Sequence, residues 1–179
     1  MHVGRCGVGA VAALTFIALA LLLSGCGSSN GATASSTTLA TTATSSEAAA
    51  VVAGYRAAWH AFEDALDNAN PNDPLLASTM VDPQLQGVKA NLLADQRQGI
   101  VGRGPTTVHP KVVSLSTARA TIVDCVHSAT ELVYASSGTP VPPVTPPEND
   151  GVSATMVLSN GVWKLEKQTV SDGKCAAGS

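Results

Sequence analysis

The order of hydrophobic periods predicts an α+β domain: a long N-terminal amphipathic helix and two short helices packed on a curved antiparallel sheet of about four strands. Three observations carry this. Large apolar residues recur at steps of three and four between residues 47 and 70, the period changes to two after Gly99, and Asn160-Gly161 joins the last two apolar runs.

Each element has its own signal. Thr44-Ser45-Ser46-Glu47 has the form of a capping box, a hydroxyl followed three residues later by a carboxylate. Behind it, Val52, Tyr55, Trp59, Phe62 and Leu66 form one helical stripe, ended by Asn70-Pro71. Asp73-Pro74 and Asp82-Pro83 each read as an N-cap followed by proline at the first helical position. The first opens "PLLASTM". The second opens "PQLQGVKANLLADQRQ", with Leu85, Val88 and Leu92 on one face and Gly99 as the stop.

After Gly99, "TTVHPKVVSLS" reads as a strand with a turn at Ser116-Thr117, and the β-branched run "ARATIVDCVHS" as the next. "TELVYA" continues that strand or forms a short partner. The proline-rich stretch 136–151 is a loop, because proline cannot donate to a central ladder. "VSATMVLS" and "VWKLEKQTV" then make a hairpin across Asn160-Gly161, a type I′ signal.

The chain ahead of this domain has a different composition. Arg5 precedes an apolar run over residues 8–23, and small residues lead to Cys26, the pattern of a secretory signal over residues 1–25. The run is short for a bilayer-spanning helix, which needs about 20 residues. Leu23-Ser24-Gly25-Cys26 looks like a bacterial lipobox, in which the cysteine receives diacylglycerol, becomes the first mature residue and is acylated on its amine, as with palmitate. Each buried methylene contributes roughly 0.8 kcal/mol, so two or three chains anchor firmly where one does not. The Ser/Thr/Gly/Ala tract over residues 26–46 reads as a flexible tether of roughly 25 Å r.m.s. span, leaving residues 47–179 as one domain. The expected location is the extracytoplasmic face of the cell membrane.

Net charge is −3 and no basic stripe is present, which argues against nucleic acid as a partner. Of the four cysteines, Cys6 lies in the signal and Cys26 in the lipobox, leaving Cys125 and Cys175. In an oxidising compartment a disulfide is favoured over a metal site or a reactive thiol, since no CxxC or HxxxH spacing occurs. It would close a loop of about 50 residues and stabilise by roughly 4 kcal/mol on the chain-entropy model.

Taken together, the Tyr/Trp-striped helix, the proline-started helices and the strand meander are similar to the nuclear transport factor two-like superfamily of cone-shaped α+β domains, which includes polyketide cyclases and ketosteroid isomerases. More narrowly, "VDC" (Val123-Asp124-Cys125), "GVWKL" ending at Leu165 and "GKC" ending at Cys175 resemble small exported proteins and lipoproteins of high-GC Gram-positive bacteria, mostly uncharacterised. The resemblance covers residues 47–175. It implies that Cys125 and Cys175 pair, and that any ligand or catalytic group lines the inside of the cone.

The candidate pocket is Tyr55, Trp59, Phe62 and Asp124. A buried carboxylate can act as general base, and a tyrosine or histidine can stabilise an enolate, so Asp124, His127, His60, Tyr55 and Glu131 are the groups to place. Strand alternation sets Asp124 opposite Cys125 and His127, so it does not converge with His127. Each also has a structural counterpart: Asp124 bonding a backbone amide, His127 and His109 at strand ends or on the surface, Glu131 solvated. No catalytic residue, metal or cofactor is assigned. The expectation is a non-catalytic interaction or scaffold module whose partner is an envelope protein. The alternatives are a carrier of a small apolar ligand or lipid, and a cyclase- or isomerase-like enzyme using Asp124. A closed cone favours docking, a hollow one a ligand.

Overall fold

The computed structural model describes residues 36–144 and 147–175. The expected signal peptide, the lipobox with Cys26 and the first part of the tether lie outside these residues. Helices α1 (Ser36–Asp67), α2 (Pro74–Thr79) and α3 (Gln84–Gln98) come first. Seven strands follow: β1 (Ile100–Arg103), β2 (Thr106–Thr107), β3 (Lys111–Leu115), β4 (Arg119–Ser128), β5 (Glu131–Tyr134), β6 (Glu148–Ser159) and β7 (Val162–Lys174). The class is therefore α+β. None of the described helices is long and apolar enough to cross a membrane.

Helix α1 is already formed at Ser36, the first described residue, inside the hydroxyl-rich tract, so Thr44 to Glu47 is not its start. A helix already nucleated by packing extends cheaply into adjoining residues. The face it buries also differs from the expected stripe. Val51, Tyr55, Ala58, Ala61, Ala65 and Leu66 are buried, whereas Val52, Trp59 and Phe62 are only partly so. Small side chains face the sheet because the backbone comes very close: a Cβ on Gly54 would lie 2.5 Å from the Trp163 carbonyl oxygen and 2.9 Å from Trp163 Cβ. Bulk comes from the other side, where Ile122, Met156, Trp163 and Leu165 fill the same core.

Asp73 caps α2, its Oδ1 accepting the Leu75 N–H at 2.9 Å with Pro74 at the first helical position. Asp82 does not cap α3. The Val81 carbonyl already takes the Leu85 N–H at 3.0 Å, so the turn starts ahead of Asp82 and Pro83 holds the cap position. At the far end Gly99 adopts φ 66°, and its N–H returns to the Asp95 and Gln96 carbonyls.

The main antiparallel sheet has five strands in the order β2-β4-β6-β7, with β3 also on β4. Strands β1 and β5 form a separate pair, so "TELVYA" is a partner of "IVGR" rather than an extension of β4. The expected single strand over "TTVHPKVVSLS" is split: Thr107 pairs with His127 and Lys111 with Val123, with residues 108–110 between. Pro110 has no N–H for the ladder. Irregular register at Val112/Ser114, Asp150/Val152 and Thr155/Met156 marks bulges, which bend a sheet. The β6–β7 hairpin turns at Asn160 and Gly161 with φ 52° and 78°, as type I′ requires.

Cys125 and Cys175 are joined, with Cα atoms 5.8 Å apart. Cys125 pairs with Gly151, and Asp150 with Lys174, so the bridge ties the end of β7 back to β4 across β6. The outer edge of β7 is met by the α2–α3 connection. The Val81 N–H donates to the Leu165 carbonyl at 3.0 Å, and Gln84 Oε1 accepts the Gln168 N–H at 3.0 Å.

Two measurements check this packing. Gly54→Ala overpacks the helix–sheet contact and costs about 1–3 kcal/mol, read as a lower midpoint in urea with an unchanged slope. The double substitution of Cys125 and Cys175 by serine lowers stability by roughly 2–5 kcal/mol in the same assay.

Candidate functional site

Of the four candidate pocket residues, Tyr55 neighbours Trp59 and the Asp124 carboxylate, and Trp59 neighbours Phe62. Tyr55, Trp59 and Phe62 stand at successive turns of α1 as a chain of edge-to-face contacts. Ring centroids lie 6.4 Å apart for Tyr55–Trp59 and 6.1 Å for Trp59–Phe62. Asp124, on the central strand β4, points inward and is 7% exposed, while its neighbour Val123 faces out. Alternation along β4 sets Asp124 on the face opposite Cys125 and His127, as expected.

Asp124 is held by the break between β2 and β3. Its Oδ1 accepts the His109 backbone N–H at 2.6 Å, a donor that the interrupted ladder leaves over. Its Oδ2 is buried without a hydrogen-bond partner, and so are Tyr55 Oη and Trp59 Nε1. Burial pushes the Tyr55 phenol well above its ordinary value of 10.0; the Trp59 N–H opposes this, and the Asp124 carboxylate adds to it. The phenol thus lies in the field of both groups, yet no hydrogen bond of normal geometry joins the three.

The other titratable candidates stand elsewhere. His60 pairs with Asp64 on the exposed flank of α1 at 3.0 Å. His127 Nδ1 meets Asn149 Oδ1 at 2.9 Å on the outer face of the sheet. His109 is exposed, and Glu131 sits exposed on β5 opposite Arg103. None of these side chains is hydrogen-bonded to Asp124; His109 reaches it through its backbone N–H, with its ring Nδ1 3.5 Å from the Cys125 carbonyl. Among the described residues no group of three or more His, Cys, Asp or Glu is placed to hold a metal ion.

Two clefts flank the aromatic chain. One, of about 150 Å³, lies between α1, α3 and β7; Trp59, Phe62 and Leu165 line it together with Gln84, Asn91 and Gln168. The other, of about 340 Å³, lies between the end of α1 and the β1–β2 segment, where Glu63, Asp64, Asp67 and Arg103 make it charged. Phe62 belongs to both. Neither is lined by Asp124 or Tyr55. Sequence reasoning missed the carboxamides. Gln84, Val88 and Asn91 share one helical face by spacing, which is a readable signal, but Gln168 arrives from a distant strand.

No protein-family model matches the chain, and no curated protein matches it in sequence. Solved structures with similar coordinates include the intermembrane-space region of the chloroplast protein ARC6, at 14% identity and TM-score 0.49 over 67% of this chain and 90% of that one. A Caulobacter vibrioides protein with a cystatin-like fold aligns at 14% identity and TM-score 0.43 over 68% and 89%. A Nostoc punctiforme protein with a cystatin-like fold aligns at 14% identity and TM-score 0.39 over 62% and 82%.

The raised phenol makes a pH prediction. The folded protein keeps the Tyr55 proton where the unfolded chain begins to lose it, so this contribution to stability is complete below pH 10.0 and falls as pH rises beyond it. Tyr55→Phe removes that dependence. It also deletes a buried hydroxyl without a partner and so raises the unfolding free energy by about 1 kcal/mol at neutral pH. Urea melts of both proteins at neutral and alkaline pH check both effects.

Proposed function

We propose that this chain is an exported lipoprotein held at the extracytoplasmic face of the cell membrane through Cys26, and that its domain is a non-catalytic interaction or scaffold module of the nuclear transport factor two-like, cone-shaped type. Support for the anchor comes from the sequence order: charged start, short apolar run, "LSGC", then a hydroxyl-rich tract. The Cys125–Cys175 bridge is in keeping with an oxidising compartment.

One observation carries the non-catalytic reading. Asp124, the carboxylate best placed by sequence to act as a base, holds the His109 N–H and lines neither described cleft beside the aromatic chain. A general base must come within hydrogen-bond reach of the proton it removes. Tyr55 is likewise wholly buried. Carriage of a lipid chain is the weaker alternative, because the uncharged cleft is small and carries three carboxamides. On this reading the partner is an envelope protein.

Cys26→Ala moves the protein from the membrane pellet to the soluble fraction or stalls its processing. Unchanged attachment and gel mobility overturn the anchor. Photo-crosslinking of the wild-type chain on intact cells yields a discrete protein adduct, and the absence of any discrete adduct counts against the docking reading.

A further inference from the structure

The cleft between α1, α3 and β7 has a composition that the docking reading does not use. Its walls are apolar at Trp59, Phe62 and Leu165, its polar groups are the side chains of Gln84, Asn91 and Gln168, and no charged residue lines it. We infer that this cleft binds one neutral pyranose ring, a single sugar unit of a glycan or a free monosaccharide.

Size sets the first limit. A cavity of about 150 Å³ matches the engineered cavities of that volume that hold benzene. It admits one six-membered ring. The cleft is open to solvent, so an acyl chain or a ring system would extend out of it.

Polarity sets the second. A charged ligand would meet no opposite charge in the lining and would lose hydration against the two aromatic side chains. A purely apolar ring would strip water from three primary amides and return no hydrogen bond. A pyranose avoids both penalties. Its C–H face packs on the aromatic wall, and its hydroxyls each donate and accept, matching amides that do the same. Gln84 is already oriented for this: its Oε1 is engaged by the Gln168 N–H at 3.0 Å, so it meets a ligand through its NH₂. Asn91 is exposed at the opening on the same face of α3, two turns further on.

The inference is independent of the lipid anchor, since a chain released by Cys26→Ala still carries the cleft. The test is a titration of the full chain, in detergent micelles, with glucose and with N-acetylglucosamine, followed by the indole N–H of Trp59 and the side-chain amides in ¹⁵N-resolved NMR spectra. The expected result is saturable shifts at Trp59, Gln84 and Asn91 with a millimolar Kd for at least one sugar. Asn91→Ala then weakens binding several-fold with no change in melting temperature, and Gln168→Ala does the same. Cyclohexanol, a ring of the same size with one hydroxyl, binds more weakly. The absence of saturation by about 100 mM, which corresponds to negligible affinity, overturns the inference. So does cyclohexanol binding as tightly as the sugars, or affinity unchanged in both amide variants. A pull-down of the same variants on immobilised glucosyl and N-acetylglucosaminyl polymers separates a glycan unit from a free monosaccharide.

Discussion

The approach of α1 to β7 at Gly54 and Trp163 is the constraint on which the rest of the domain depends. Any side chain at Gly54 would overlap the strand backbone, so the helix–sheet distance is set by hydrogen and not by a methyl group. At that distance several facing positions of the helix are small, and Ala58, Ala61 and Ala65 fill them. Two of the large side chains of α1 are then only partly buried. Trp59 and Phe62 end up beside the core rather than in it, which is what places an aromatic wall at the mouth of each cleft.

Tyr55 is the exception, a large polar residue on the close-packed face. Its phenol, the Trp59 indole N–H and one Asp124 oxygen are all enclosed without hydrogen-bond partners. Buried polar atoms left this way lower stability, and here they gather on one side of the sheet's central strand. The interruption of the ladder at residues 108–110 belongs to the same arrangement: it releases the His109 N–H that fixes the Asp124 carboxylate. The two irregularities, a broken strand and a buried acid, compensate each other.

Most of the fold was legible in the sequence because its signals are local. The Asp73-Pro74 cap, the Gly99 stop and the Asn160-Gly161 turn each depend on the conformational preference of one or two residues, and all three appear where expected. What was not legible depends on contacts distant in sequence. The buried face of α1 was assigned by residue size: Tyr55 and Leu66 of the expected stripe are buried, but beside the close contact with Trp163 the alanines are buried and Val52, Trp59 and Phe62 only partly so. The start of α3 was assigned to Asp82 by its type, and the Val81–Leu85 hydrogen bond moved it. Within the site, the separation of Asp124 from the face of Cys125 and His127 followed from strand alternation, and the aromatic series followed from helical spacing. The uncharged rim did not, because Gln168 joins Gln84 and Asn91 only once β7 lies beside α3.

The hydrogen bonds that the α2–α3 connection and the first residue of α3 make to β7 have a consequence for how copies of this domain behave at high local density. The outer strand of a sheet offers unpaired N–H and C=O groups to any extended chain, and neighbouring molecules can pair through such edges. Here the Leu165 carbonyl and the Gln168 N–H are already taken by Val81 and by the Gln84 side chain. Over that stretch a glutamine side chain occupies the place of a neighbouring strand. The segment that turns the chain from one helix into the next is thereby also a guard against edge-to-edge aggregation.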